Sequence, residues 1–304
     1  MHKSYDLIAI DKSWVDVMLR VAALPRADEK VLAEPLGRFP GGMGGNVCAA
    51  ASRLGLCTGM VSWVGDDADG RLVLDDLQRF GVDTRYVAVG SGRATNYTTV
   101  LIEPGGAKAI IIVPTAFEEL LLDAALARYL SHARLVYATP YDPDQLARVA
   151  AVAHESSGLV VTDIEAVAAL DQAALRQVLA AVDIAFVHDS ALPGSDSPAT
   201  LRELLALGPR LVVRTAGAGD ALACTVDSVA RRPAFDVSAV DTTGAGDCFA
   251  AAFLAAYLRQ WSLDQALLYA HAAAALSIQG YGARGALPDH QQVTAFLSAH
   301  ASSS

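Results

Sequence analysis

Short, continuously apolar runs alternating with Ala- and Leu-rich stretches are the strongest constraint on this 304-residue chain. The runs are "YDLIAI" (5–10), "CTGMVSWVG" (57–65), "RLVYAT" (134–139), "GLVVTDI" (158–164), "DIAFV" (183–187) and "RLVVRT" (210–215). Helical patterns span 45–54, 69–80, 118–130, 143–156, 171–181, 199–206, 246–260, 263–279 and 289–299. A strand that is apolar at successive residues must be covered on both faces. Strand–helix repetition of this kind predicts a doubly wound, mostly parallel α/β sheet flanked by helices. With 53% hydrophobic residues the chain can fill the core of one such domain over residues 1–304.

Two stretches break the pattern. Residues 15–42 and 94–114 read as β-hairpin material, the second with "EPGGA" turning between two β-branched runs. They predict a small β lid on the sheet domain, formed by segments about 12–40 and 94–114. Exposed strand edges on such a lid favour a homodimer, because pairing two lids covers them.

Charge and composition exclude several function classes. The net charge is -10 and the 23 Lys and Arg are scattered, whereas phosphate-backbone binding needs a basic stripe. The longest apolar stretch, "CFAAAFLAAYL", falls short of the ~20 residues that cross a bilayer. The apolar run in "MHKSYDLIAIDKSW" is too short for a signal peptide. Cys48, Cys57, Cys224 and Cys248 show no CxxC pairing, which predicts reduced core thiols in a cytoplasmic protein.

Three glycine-rich segments carry the candidate chemistry. In "DTTGAGD" (241–247), Gly244 and Gly246 let amides at a helix start converge on an anion, where the helix dipole adds partial positive charge. Asp247 sits beside them, either as a helix-start acid or as a base that takes a proton while the amides hold a transferring phosphoryl group. The dipole is expected to keep it ionised, and a side chain at Gly246 to cost both amide access and turn stability. In "PGGMGGNVCAAASRLG" (40–55), Asn46 stands at a helix mouth, as a cap or as a hydroxyl ligand. In "VVRTAGAGDA" (212–221), a buried strand runs into a glycine loop where α/β sheets bind ligands. "GYGARG" (280–285) matches GxGxxG but follows a helical run, so it lacks the dinucleotide context, and no GxxxxGK[ST] is present.

The order of these motifs resembles the ribokinase-like (PfkB) carbohydrate kinases over essentially the whole chain. "GGMGGNVCAAASRLG" is similar to the family's first signature and "DTTGAGDCFAAAF" to its second, more specific one. "WVDV", ending in Val17 after Asp16, resembles the first substrate strand, and "ARGALP" the C-terminal turn. The resemblance implies an ATP-dependent transfer of the γ-phosphate to a sugar hydroxyl. Asp247 would be the base, with Thr243, Gly244, Ala245 and Gly246 forming the anion hole. Asp16, Gly42 and Asn46 would hold sugar hydroxyls, joined by Asn96 on the lid. Thr215, Gly217 and Gly219 would approach the ATP phosphates or ribose, while His271 and Ala274 flank adenine. Mg²⁺ would offset phosphate charge, and many members respond to K⁺ through a loop that begins here at Asp241.

Four departures from the family pattern stand out. The family's Asn-x-x-Glu element, which organises Mg²⁺ through water, reads His188 to Ala191 here, leaving Asp189 as the substitute. The Gly-x-x-Gly loop ends in Asp220, which repels a triphosphate unless it turns away or meets a cation. Met43 stands where many sugar kinases carry Lys, and His271 where Asn is common near adenine. A phosphorylated or acidic substrate calls for lid cations, for which Arg38 and Arg93 are the first candidates among Arg20, Arg26, Lys30 and Lys108. The expected acceptor is a sugar or sugar derivative. The alternatives are a nucleoside kinase of the same fold and a non-catalytic binding or regulatory homologue.

Overall fold

Leu7 and Ala9 of the first strand point into one apolar cluster, and Ile8 and Ile10 into a second on the other face of the sheet. This two-sided burial is why the strand sequences are apolar without alternation. The computed structural model describes residues 3–104, 108–115, 120–165, 170–192 and 196–301.

The chain opens with β1 (Tyr5–Ile10), β2 (Trp14–Val21), β3 (Ala33–Gly41), α1 (Met43–Arg53), β4 (Thr58–Gly65), α2 (Ala68–Arg79) and β5 (Asp83–Gly90). It continues through β6 (Asn96–Ile102), β7 (Lys108–Val113), α3 (Ala124–Ser131), β8 (Ala133–Ala138), α4 (Pro143–Glu155), β9 (Leu159–Ile164) and α5 (Gln172–Ala181). The last part holds β10 (Ile184–His188), α6 (Pro198–Leu205), β11 (Leu211–Thr215), β12 (Ala221–Cys224), β13 (Val229–Arg232), α7 (Ala245–Leu258), α8 (Leu263–Ser277) and α9 (His290–Ala301). The turn expected at "EPGGA" falls on 105–107, and the start of the helix expected over 118–130 on 118–119; both lie outside the described residues.

The main sheet has nine strands in the order β13-β12-β11-β10-β9-β8-β1-β4-β5. The pairs from β11 to β5 are parallel, and only β11–β12 and β12–β13 are antiparallel. The strands β5, β12 and β13 were not among the sequence candidates. At the two edges β5 and β13 cover themselves with mixed residues, "DTRYVAVG" and "VARR", which lack a continuous apolar run.

A separate four-stranded sheet in the order β3-β2-β6-β7 forms the lid. Each expected segment is an antiparallel pair, and a parallel β2–β6 ladder joins the two, with Asp16 beside Thr98. In β7 the two-residue period turns Lys108, Ile110 and Ile112 to the cleft described next.

Candidate active site

A cleft of about 760 Å³ lies between the lid and the carboxyl ends of the central parallel strands. Asp11, Tyr141, Glu165, His188 and Thr215, at or just beyond those strand ends, line it from the sheet side. Crevices outside the carboxyl ends of an open parallel sheet are where α/β folds bind ligands. Asn46 of α1 and Asp247 of α7 enter from the helices.

The mouth of α7 is built by backbone. Gly244 caps the helix at φ 74°, a left-handed value, and a β-carbon there would lie 2.5 Å from the Ala283 side chain. No side chain caps the first turn, so the amides of Gly246 and Asp247 keep their helix-start donors for a ligand. A β-carbon at Gly246 meets nothing within 4 Å, so this glycine faces the open cleft. Asp241 folds the turn before it. Its Oδ1 accepts from the Thr243 amide at 3.0 Å and the Thr243 hydroxyl at 2.7 Å, and its Oδ2 accepts from the Gly282 amide at 2.9 Å. The Ala245 amide bends back to the Thr242 carbonyl at 3.3 Å. Two of the amides expected to line an anion hole therefore stabilise the turn itself.

The mouth of α1 begins at Gly42, with φ 93°. Its neighbours crowd it: β-carbons at Gly41, Gly42 and Gly44 would each lie 2.6 Å from Asp16 Oδ2, the Lys12 carbonyl and Asp11 Cβ respectively. The Gly44 amide donates to Asp11 Oδ2 at 2.8 Å. Asn46 is not the cap. Its Nδ2 donates to Asp247 Oδ2 at 2.7 Å, and its Oδ1 accepts from Arg284 Nε at 2.8 Å.

The cleft is strongly acidic. Burial pushes Asp247 well above the usual carboxylate range; the Glu165 carboxylate adds to this and the Asn46 hydrogen bond opposes it. Burial thus acts against the helix dipole that the sequence suggested would keep Asp247 ionised. Burial also raises Asp11 to about 6, against the pull of the Gly44 and Lys12 amides. Asp163, just behind, rises to about 7 through burial and then Glu165. Asp16 is raised by burial and steadied by the Thr98 hydroxyl, which donates to its Oδ1 at 2.6 Å. Burial lowers His271, whose ring contacts the Arg232 carbonyl at 3.1 Å and packs edge-on to Phe249.

Most of the expected site residues converge. Asp16, Gly42, Asn46, Thr215, Gly217, Thr243, Gly244, Ala245, Gly246, Asp247, His271 and Ala274 all line the cleft, as do Trp14 and Met43. Four others stand outside the lining. Asn96 is fully buried and spends its amide on the Ser13 carbonyl and on Thr115. Gly219 closes its own loop onto the Ala216 carbonyl. Asp189 pairs with His188 at 3.2 Å and Arg214 at 3.5 Å. Asp241 holds the turn described above. Asp220 meets a cation: its Oδ2 lies 3.2 Å from Arg231.

The lid cations differ from expectation. Arg38 is bound to Asp69, Arg20 to Glu34, and Arg93 is exposed away from the lining. Lys108 is the ammonium group that lines the cleft, with Nζ 3.4 Å from the hydroxyls of Thr242 and Thr243. Sequence reasoning also missed Glu165, Asp11 and Tyr141, which reach the cleft because their strands end there. It missed Arg284 as well, although the "ARGALP" segment that holds it stands out in the sequence as a turn.

The pattern of the pfkB family of carbohydrate kinases matches residues 5–290. An ATP-dependent ribose-1-phosphate kinase of Halopiger xanaduensis is 33% identical over 295 residues, covering 93% of this chain and 95% of that one. A ribokinase of Bacillus subtilis is 28% identical, covering 96% and 99%. The structure of Arabidopsis thaliana ribokinase complexed with ribose and ATP superposes with a TM-score of 0.82 at 23% identity, covering 98% of this chain and 99% of that one. The chain belongs to the pfkB family of carbohydrate kinases, and it is an ATP-dependent phosphotransferase that moves the γ-phosphate of ATP to a hydroxyl of a sugar or sugar derivative.

Proposed function

We propose that the acceptor is a ribose-type sugar or its phosphate ester, and that Asp247 is the base for its hydroxyl. The observation that carries this reading is the mouth of α7. A buried carboxylate, held by Asn46, stands beside uncapped amides with open space in front of Gly246. Asp247 takes the hydroxyl proton as that oxygen bonds to the γ-phosphorus. The bond from phosphorus to the bridging oxygen breaks, and its electron pair leaves with ADP. The amides of Gly246 and Asp247 hold charge on the transferring group. A carboxylate with a raised pKa is the stronger base for this step. Asp16 and Gly42 position sugar hydroxyls, and Thr215, Gly217, His271 and Ala274 flank the nucleotide. The kinship with a ribose-1-phosphate kinase and the presence of Lys108 on the lining support an acceptor that carries phosphate.

The residues present fit Mg²⁺. Among the described residues no group of three or more His, Cys, Asp or Glu could hold a metal alone. Mg²⁺ is commonly held by one or two carboxylates together with substrate phosphates. Glu165 supplies such an oxygen to the cleft, whereas Asp189 is tied to His188 and Arg214. Mg²⁺ would neutralise phosphate charge that the acidic cleft otherwise repels. A K⁺ beside Asp241 would stiffen the same turn, which a comparison of turnover in K⁺ and in Na⁺ tests. The exposed Ile111 on the lid supports pairing of two lids in a homodimer, and the four free cysteines support a cytoplasmic setting.

The test is ADP release from MgATP with ribose, ribose 1-phosphate, other sugar phosphates and nucleosides, each with and without chelator. Turnover of ribose or ribose 1-phosphate that stops with chelator is expected. Faster turnover of nucleosides, or undiminished activity in excess chelator, would overturn the corresponding part of the reading.

A further inference from the structure

Both ends of the Asn46 amide are committed, and their partners fix which way it faces. When ionised, Asp247 can only accept, and the Arg284 guanidinium can only donate. Arg284 Nε therefore holds the Asn46 oxygen at 2.8 Å, and this turns Nδ2 toward Asp247 at 2.7 Å. Arg284 is itself fixed on the remaining sides. Its Nη1 donates to Asp76 Oδ2 at 2.8 Å and its Nη2 to the Gly41 carbonyl at 2.9 Å, with only 3% of the side chain exposed. Gly45 leaves room for the guanidinium, since any β-carbon there would collide with Nη2. A planar fork with all its bonds made in a buried setting has one geometry.

We infer that Arg284 is a positioning residue for phosphotransfer. Acting through Asn46, it keeps one hydrogen bond on Asp247 Oδ2 and leaves Oδ1 to take the proton. That bond also favours the ionised form of Asp247, so it opposes the rise that burial imposes. Without Arg284 the Asn46 amide loses its anchor, and the hydrogen bond to Asp247 Oδ2 is no longer held in place. The inference rests on the reading of Asp247 as base.

The experiment pairs Arg284→Met with Asp76→Asn, so that neither buried charge is left alone, and compares the pair with Asn46→Ala and with all three changes together. The measurements are the pH profile of kcat/KM for MgATP with ribose or ribose 1-phosphate, and thermal melts. Losing the hydrogen bond to the charged form raises the Asp247 pKa, so the acid limb should move up by about one pH unit. Asn46→Ala should give the same shift, and the triple variant little more. If the paired variant does not fold, Arg284→Lys keeps a charge beside Asp76 but loses the fork, and the same shift is expected. An unmoved acid limb in a folded variant, or effects that simply add, overturns the inference. Failure of the base reading looks different, because Asp247→Asn would then retain turnover whatever happens at Arg284.

Discussion

The two glycine-rich helix mouths look alike in sequence and do opposite things in space. At the mouth of α1, Gly41, Gly42, Gly44 and Gly45 are each hemmed in by protein: Asp16, the Lys12 carbonyl, Asp11 and Arg284 occupy the places of their missing side chains. At the mouth of α7, Gly244 is needed for its left-handed backbone, but Gly246 faces empty space. The first mouth uses glycine to bring its own polar groups close. The second uses it to admit something from outside. A glycine signature therefore states that close approach is required, without saying whether the visitor is protein or ligand.

The largest effect should come from the second mouth. Asp247→Asn keeps size and hydrogen-bonding capacity but removes the base. It should fold as the parent does, bind MgATP with little change and lose ~10²–10⁴-fold in kcat. If ADP release stays near the parent rate, the carboxylate is only a helix-start acid and the functional distinction between the mouths disappears.

Glycine substitutions sharpen the contrast. Gly44→Ala puts a carbon 2.6 Å from Asp11 Cβ inside a buried helix start, where backbone must shift, at a cost of about 1–3 kcal/mol. Gly246→Ala meets nothing within 4 Å and has no positive φ, and alanine favours the helix over glycine. Its melting temperature should hold or rise while turnover falls, because the methyl group stands in the ligand space. The sequence alone had suggested joint loss of stability and rate for Gly246→Val. A clear drop in melting temperature for Gly246→Ala would restore that view.

The legible parts of the molecule are those fixed by local chemistry. Continuous apolar runs exposed the central parallel strands, because burial on both faces leaves no polar phase. Edge strands β5 and β13 stayed hidden because one side of each is solvent-facing. Asp247 was legible because the glycines and the carboxylate are neighbours in the chain. Arg284 was not, since its partners lie at residues 41, 46 and 76 and meet it only through the fold. The choice of Lys108 over Arg38 depends on lid register and on Asp69 being near Arg38, neither of which is local.

Asp11 offers a pH-dependent test of the first mouth. Its carboxyl is raised from 3.8 to about 6, so the folded state holds a proton that the unfolded chain has released over that interval. The associated stability is fully present below pH 3.8 and is lost as pH rises through about 6. Asp11→Asn, which can still accept from the Gly44 amide, should match the parent in melting temperature at acid pH and exceed it by a few degrees at pH 8. Equal melting temperatures at both pH values would mean that the amides of this mouth fully compensate the buried charge.

The smallest effect is expected at Asp220, where the sequence left two outcomes open and the structure favours one. If the acid in this glycine loop faced the phosphates, like charge would weaken ATP binding and Asp220→Gly would lower the KM for ATP; the other reading is that Asp220 turns away or meets a cation. In the structure Asp220 Oδ2 lies 3.2 Å from Arg231, both side chains are about half exposed, and neither residue lines the cleft. Arg231 also donates to the Asp196 carbonyl at 2.9 Å, which holds it in place without Asp220. Arg214 reaches the backbone oxygen at 220, not the carboxylate, so glycine preserves that contact. An exposed ion pair contributes about 0–1 kcal/mol and is screened by salt, and the charge it neutralises has little left to repel. Asp220→Gly should leave the KM for ATP within about twofold of the parent at physiological ionic strength. A several-fold fall would show that the carboxylate faces the phosphates during turnover, and the glycine loop after β11 would then join α7 as a mouth that meets ligand.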